Sequence, residues 1–206
     1  MAAEVSFYKE RIFPVIFMVL ITVVFISIIS GIYLSTQAIV EENETLFLKK
    51  AVLFSAGIQV PEENSEINRI YGENVTEYFI DGKPAVFAVR GDLEGAESYA
   101  FRIAGPGLWG EIEALIGYND ELKEMTGIDF IKQNETPGLG ARIEEEWFKT
   151  QFRGKRPPFS LVQEDADNTA PDEINAITGA TYTSKYVRDM INESPQRAET
   201  LLKEVR

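Results

Sequence analysis

The 206-residue sequence contains neither cysteine nor histidine. The first absence removes disulfides, thiolate metal ligands and cysteine nucleophiles. The second removes Ser-His-Asp and Cys-His catalysis, together with His-ligated zinc, copper and haem. A carboxylate-only site for a hard cation stays open, but a redox cofactor here has to be organic. Positive charge is also scarce: 20 Lys and Arg stand against 33 Asp and Glu, a net charge of −13. Nucleic acid, itself a polyanion, is repelled, and free exchange of an anionic ligand is disfavoured. Hydrophobic residues, by contrast, make up 45% of the chain, enough to bury a core and to argue against disorder. The length suits one compact domain plus an anchor. No repeat or low-complexity segment is present.

Ile12 to Leu34 is a run of 23 residues without a formal charge. As a helix it reaches about 34 Å, enough to cross a bilayer core of about 30 Å. Lys9 and Arg11 precede it, while Glu41, Glu42 and Glu44 follow before the next cation, Lys49. The positive-inside rule places Met1 in the cytoplasm and the chain after Leu34 outside. The competing reading is a cleaved signal peptide with a poor cleavage site at Thr36-Gln37-Ala38. The apolar run is much longer than an ordinary signal core, which favours a retained anchor. The expected organisation is therefore a cytoplasmic tip and transmembrane anchor over 1–35 and an extracytoplasmic domain over 36–206. Within that domain, 36–60 is a helical connector.

The connector carries apolar residues at loosely helical spacing to Ala56, with Gly57 and Pro61 as stop signals. A short helix is expected over Glu63–Tyr71, ended by Gly72. Beyond it, Glu77–Ile80, Ala85–Arg90, Ser98–Ile103, Glu111–Tyr118 and Ile128–Gln133 are short runs rich in Val, Ile, Phe and Tyr. Asp81-Gly82-Lys83-Pro84 reads as a hairpin turn and Gly105-Pro106-Gly107 as a tight loop. Ile143–Phe152 reads as a helix with three glutamates in its first turn. Phe159–Gln163 and Ile174–Ile177 are late strand candidates, and two closing helices, Thr181–Asn192 and Gln196–Val205, are separated at Ser194-Pro195. The fold class is α+β: one N-terminal transmembrane helix, then a mostly antiparallel sheet flanked by helices.

The segment Asn175-Ala176-Ile177-Thr178-Gly179-Ala180-Thr181-Tyr182-Thr183-Ser184 carries the chemistry. It reads as a strand ending at Thr178, a turn through Gly179-Ala180 and a helix opening at Thr181. Small residues let a phosphate approach the backbone, and a helix N-terminus offers unpaired N–H donors to an anion. Thr181, Thr183 and Ser184 add hydroxyls. On spacing alone, Thr181 reads equally as a helix N-cap.

Thr178-Gly179-Ala180-Thr181, followed by Thr183-Ser184, resembles the flavinylation motif of the FMN-binding subunits of two ion-translocating complexes. These are the G subunit of Rnf complexes and the C subunit of the Na⁺-translocating NADH:quinone reductase. Glu135-Thr136-Pro137-Gly138-Leu139-Gly140 resembles a loop that lies against the flavin in those families. Gly105-Pro106-Gly107-Leu108-Trp109-Gly110 resembles a second loop, more typical of the quinone-reductase protein. The motifs occur in the family order behind an anchor in the family position. The family commonly has Asp three residues before its Ser/Thr; this chain has Asn175, which keeps the hydrogen bonding and loses the charge, and Asp172 is out of register.

The resemblance implies FMN bound covalently as a phosphoester to Thr181, installed from FAD by a dedicated flavin transferase. The cofactor-binding set it implies is Thr178, Gly179, Ala180, Thr183, Ser184, Glu135, Thr136, Leu139, Gly140, Leu108 and Trp109. Glu135, Thr136, Leu139, Leu108 and Trp109 flank the isoalloxazine ring in this reading. Trp109 has two rival explanations, loop packing and a partner contact. Lys185 and Arg188 either neutralise the phosphodiester or are ordinary surface charge. No catalytic and no metal-binding residue is expected. A tether also answers the charge problem, because a covalent flavin needs no affinity.

The implied function is an electron-carrying component of an Rnf-type ferredoxin:NAD⁺ oxidoreductase in the bacterial cytoplasmic membrane, without turnover alone. The implied partners are the other proteins of the complex and the transferase. The short chain favours the Rnf G subunit; the Gly-Leu-Trp-Gly loop favours the quinone-reductase counterpart. The alternatives from other classes are a stand-alone extracytoplasmic flavin reductase and a flavin-free, membrane-anchored interaction module.

Overall fold

The computed structural model describes residues 8–166 and 170–205. The N-terminal tip expected in the cytoplasm lies outside them as far as residue 7. The chain divides into two units, Met1–Thr45 and Leu46–Arg206.

A π-helical turn, Tyr8–Ile12, leads into α1, Phe13–Ser55, whose residues from Leu46 onward belong to the second unit. It contains an 18-residue stretch of mean hydropathy 3.0, none of it buried, and is long and apolar enough to cross a membrane. The hydroxyls within the run do not break that surface. Thr22 Oγ1 donates to the Met18 carbonyl at 2.8 Å and Ser27 Oγ to the Val23 carbonyl at 2.7 Å, so each is satisfied on its own helix.

No glycine or proline stands between Gly31 and Gly57, and the helix continues without a break to Ser55. It ends as expected at Gly57, whose φ of 78° is left-handed. The Gly57 N–H donates to the Phe54 carbonyl at 3.1 Å and the Ile58 N–H to the Leu53 carbonyl at 2.9 Å, a Schellman closure.

The second unit is built on a five-stranded antiparallel meander in the order β1-β2-β3-β4-β5. Its strands are β1 Val75–Ile80, β2 Lys83–Val89, β3 Ser98–Pro106, β4 Glu111–Asn119 and β5 Met125–Lys132. The β1–β2 hairpin turns through Asp81 and Gly82 with φ of 51° and 75°, matching the sheet twist, while Lys83 and Pro84 already belong to β2. The helix α2, Asn64–Asn74, runs through Gly72 straight into β1, so Gly72 does not end it.

Side chains alternate between the sheet's two faces. Phe101, Ile103, Ala114, Ile116, Ile128 and Phe130 point to one face and meet Phe148, Phe152, Val187 and Ile191. Phe87, Ala100 and Leu115 point to the other and meet Val52 and Leu53 of α1 with Ile67 and Tyr71 of α2.

On that second face, Gly117 and Gly127 are cross-strand neighbours on β4 and β5. A Cβ on Gly117 would collide with the Ser55 carbonyl, and one on Gly127 would lie 2.9 Å from the Phe54 carbonyl. The end of α1 therefore rests on a seat that only glycines provide. Thr126 Oγ1 donates to the Ser55 carbonyl at 2.6 Å and Arg153 to the Phe54 carbonyl at 3.3 Å. Gly117→Ala is expected to destabilise the domain by about 2–3 kcal/mol through overpacking against backbone. Chemical denaturation of the solubilised chain measures it, and an unchanged midpoint refutes the seat.

The structure departs from the sequence pattern at two helices. Ile143–Phe152 is a 3₁₀ turn, Gly140–Glu144, followed by α3, Glu146–Thr150. Glu145 between them is extended (φ −65°, ψ 143°), with its carboxylate bound by Arg142 and Trp147. The two closing helices are one, α4, Thr181–Glu204, with Pro195 inside it. Proline removes the N–H that would reach the Ile191 carbonyl. Ser194 Oγ donates to that carbonyl instead at 2.6 Å, and lies 2.5 Å from the Tyr118 hydroxyl. The Ile191 carbonyl thus keeps a donor, and the helix does not break.

A parallel pair, β6 Ser160–Val162 and β7 Glu173–Asn175, completes the unit and delivers the chain to α4.

Candidate functional site

The turn from β7 to α4 holds its backbone donors in sequence. The Ala176 N–H reaches the Val162 carbonyl at 2.9 Å, and the Ile177 N–H reaches Ser184 Oγ at 3.0 Å. The Thr178 N–H reaches Glu164 Oε2 at 2.6 Å, and the Ala180 N–H the Ile177 carbonyl at 3.0 Å. Gly179 is left-handed (φ 79°), and a Cβ there would lie 2.9 Å from Leu139 Cδ2. The left-handed φ disfavours a side chain at 179, and one there would also have to displace the tip of Leu139.

The N-cap of α4 is Ala180, with no side-chain cap. Thr181 is the first helical residue, so the N-cap alternative does not hold. It is exposed, and among the described residues its hydroxyl makes no hydrogen bond. Its β-hydroxyl is therefore free and faces solvent at an uncapped helix N-terminus, beside N–H groups that have no intrahelical partner.

The neighbouring hydroxyls are occupied. Ser184, fully buried, donates to the Ala180 carbonyl at 3.0 Å while accepting from Ile177. Thr183, also buried, donates to Glu135 Oε2 at 2.6 Å.

Glu135 joins the three sequence motifs. It is only 5% exposed, and besides Thr183 it accepts the Leu108 N–H at 2.7 Å and the Trp109 N–H at 3.2 Å. Gly107 and Gly140 make room for it: a Cβ on the former would lie 2.6 Å from Glu135 Oε1, on the latter 2.7 Å from Oε2. The expected Gly105-Pro106-Gly107 loop lies one step later. Gly105 and Pro106 are in β3, and the tight turn is Gly107–Gly110, closed by the Gly107 N–H on the Gly110 carbonyl at 2.7 Å. Thr136 is exposed, and its carbonyl accepts the N–H groups of Leu139 and Ala141, each at 3.1 Å.

Four large apolar or aromatic side chains of the three motif segments are exposed. Trp109 is 68% exposed, Tyr182 64%, Leu108 47% and Leu139 43%. Motif reasoning does not single out Tyr182; its position beside Thr181 is the one available signal. Glu135 itself is internal, and it holds the Leu108-Trp109 backbone and Thr183 rather than presenting a surface of its own.

A cleft of about 660 Å³ opens between β6 and α4, lined among others by Val162, Glu164, Thr178, Thr181, Lys185 and Arg188. That volume is in the range of small-molecule sites. Leu108, Trp109 and Leu139 do not line it. Arg188 is paired with Asp189 at 2.6 Å, and Lys185 Nζ lies 5.7 Å from the centre of the Tyr182 ring. The Glu164 carboxyl is pulled down to about 2, first by the hydrogen bonds from Arg142, then by those from Thr178. Glu164 and Arg142 belong to no motif, and sequence reasoning misses both.

Asn175 lies below the turn. Its N–H donates to Gln151 Oε1 at 2.6 Å and its carbonyl accepts from Gln151 Nε2 at 3.3 Å. Its Oδ1 is buried without a partner. A carboxylate at this spot would be a charged oxygen without a donor, so the neutral amide suits the surroundings. Asp172 is exposed, immediately before β7.

Residues 107–195 match the FMN-binding domain family. The chain is 42% identical over 98 residues to the G subunit of the Na⁺-translocating ferredoxin:NAD⁺ oxidoreductase complex of Acetobacterium woodii. That alignment covers 47% of this chain and 46% of the relative. It is 28% identical over 192 residues to the G subunit of the ion-translocating oxidoreductase complex of Methanosarcina acetivorans, covering 90% and 93%. Among solved structures, it resembles the C subunit of the Na⁺-translocating NADH-quinone reductase of Parabacteroides distasonis at a TM-score of 0.64 and 26% identity. The superposition covers 81% of this chain and 96% of that one. The chain spans about half the length of several curated relatives it matches, the Acetobacterium protein included.

Proposed function

We propose that this chain, whose residues 107–195 form an FMN-binding domain, is the electron-carrying G subunit of an Rnf-type ion-translocating oxidoreductase, with FMN esterified to Thr181. The observation that carries the covalent reading is the free, exposed hydroxyl of Thr181 at an uncapped helix start, where the neighbouring hydroxyls of Thr183 and Ser184 are buried and engaged. Thr181 Oγ1 takes the FMN phosphoryl group of FAD, its new O–P bond replacing the pyrophosphate bond, with AMP leaving and the hydroxyl proton passing to a base of the transferase. Lys185 and Arg188 line the same cleft as Thr181 and would offer positive charge to the resulting phosphodiester, Arg188 while paired with Asp189.

The residues fit the group in kind. Trp109, Leu108, Leu139 and Tyr182 offer apolar and aromatic contact for a flat ring, and the cleft offers cationic side chains for a phosphate. When bound, FMN supplies electron acceptance and donation in single-electron steps. The chain's own contribution is orientation: Glu135 holds the Leu108-Trp109 tip and the first turn of α4 together. With no histidine or cysteine, it brings no strong proton donor to the ring, which suits a carrier better than a hydride-transferring enzyme.

The N-terminal helix supports a single-pass protein of the cytoplasmic membrane, with the charge asymmetry around Ile12–Leu34 favouring an external flavin domain. The Methanosarcina relative, aligned over nearly its whole length, favours the Rnf-type protein over the quinone-reductase one. The partners are then the other proteins of that complex.

Co-expression with a flavin transferase tests the reading. The expected result is a band that fluoresces under ultraviolet light on a denaturing gel, and a peptide containing Thr181 heavier by one FMN less water. A dark band, or flavin on another residue, rejects it.

A further inference from the structure

The turn that presents Thr181 is held from two sides by carboxylates. On the helix side Glu135 binds Thr183; on the strand side Glu164 binds the Thr178 N–H at 2.6 Å. The second tie is built from outside the motif. Arg142 grips Glu164 through two nitrogens, Nη2 to Oε1 at 2.7 Å and Nη1 to Oε2 at 3.2 Å. Arg142 is itself fixed by Glu145, at 3.2 Å from Nε, and lies 5.5 Å from the centre of the Trp147 ring. A side chain so fully determined loses little further freedom by holding a ligand group.

The position of Glu164 is unfavourable for anything but this bond. It lines the same cleft as Thr181, Lys185 and Arg188, in a chain of net charge −13, where an incoming phosphate is repelled by each added carboxylate. Arg142, shared with Glu145, offsets part of that charge, and Glu164 remains the acceptor for Thr178. Without it, the chain is still paired through the Ala176 N–H on the Val162 carbonyl, but Thr178, next to the left-handed Gly179, loses its own tie. The reacting hydroxyl then samples many directions, whereas an in-line attack needs one.

From this we infer that Glu164, held by Arg142, is a positioning residue for the esterification of Thr181. The inference rests on the covalent-flavin reading above. Glu164 touches neither the phosphate nor the flavin; it acts through the Thr178 backbone.

The test is the initial rate of flavin attachment to the detergent-solubilised full chain, with purified transferase and FAD, read as in-gel fluorescence. Glu164→Ala is expected to lower the rate at saturating transferase about tenfold, with the KM for the chain little changed. Glu164→Gln keeps an acceptor for the Thr178 N–H and is expected to stay within about threefold of wild type. Amide exchange at Thr178 should accelerate in Glu164→Ala and not in Glu164→Gln. Arg142→Met, which frees Glu164 without removing it, should fall between them. It decides the matter together with Glu164→Gln if the alanine variant does not fold. Wild-type rates in both Glu164→Ala and Arg142→Met overturn the inference, as does an equal loss in Glu164→Ala and Glu164→Gln. Those outcomes leave the flavin reading standing, because the wild-type chain is still labelled. A wild-type chain that takes no label overturns both.

Discussion

A Thr181→Ala chain produced alongside a flavin transferase is expected to carry no covalent flavin, while the wild-type chain is labelled under the same conditions. The loss is complete rather than partial because no nearby hydroxyl substitutes. Ser184 is fully buried and bonded in both directions, and Thr183 is buried on Glu135. Thr178 is exposed, but its hydroxyl is a partner of Glu164 and it stands before the turn rather than on the helix. Tyr182 is exposed, yet its phenol sits at the end of a ring, far from the N–H groups that receive the phosphate. Thr181→Ser keeps a hydroxyl on the same carbon and is expected to be labelled within about tenfold of wild type, the difference being the rotamer freedom that a β-branched side chain lacks. Because Thr181 is at the surface and makes no hydrogen bond, the alanine variant should melt within about 0.5 kcal/mol of wild-type stability. A fluorescent band from Thr181→Ala would mean that the ester is elsewhere.

Legibility in the sequence depends on whether a feature is local. The long apolar helix is legible because its residues are consecutive, and the Gly57 stop because one glycine with φ of 78° closes the helix. The strands are legible because alternation puts Phe101 and Ile103 on one face and Ala100 on the other. Pro195 misleads because its remedy is split between a neighbour and a distant strand. Ser194 supplies the missing donor, and Tyr118 on β4 holds Ser194. Glu145 misleads for a similar reason, since two side chains hold it extended within an otherwise helical pattern. At the candidate site, the motifs are legible as segments but not how they meet, which is through Glu135. That Thr181 is the first helical residue and not the cap is seen only once Ala180 is found in the cap position. Glu164 and Arg142 are 22 residues apart and belong to no motif, so their pairing is visible only in three dimensions.

Glu135→Leu is expected to be the most damaging single change near the site that leaves Thr181 in place. The carboxylate accepts three hydrogen bonds from two segments, Leu108 and Trp109 on one and Thr183 on the other. Charge-assisted bonds of this kind contribute about 1.5–3 kcal/mol each. Water can still reach the amides of an exposed loop, so the net loss is about 3–4 kcal/mol rather than the full sum. That is a large share of a domain stability of about 5–15 kcal/mol. Leucine has nothing to offer the Thr183 hydroxyl, and the pocket shaped by Gly107 and Gly140 no longer encloses an acceptor. Glu135→Gln keeps the shape and one acceptor, and should lose only about 1 kcal/mol. Urea unfolding of the solubilised chain measures both. Tryptophan emission adds a local readout, because a released Gly107–Gly110 tip changes the surroundings of Trp109 before the sheet unfolds. Equal midpoints for wild type and Glu135→Leu would show that the three motifs meet at Glu135 without depending on it.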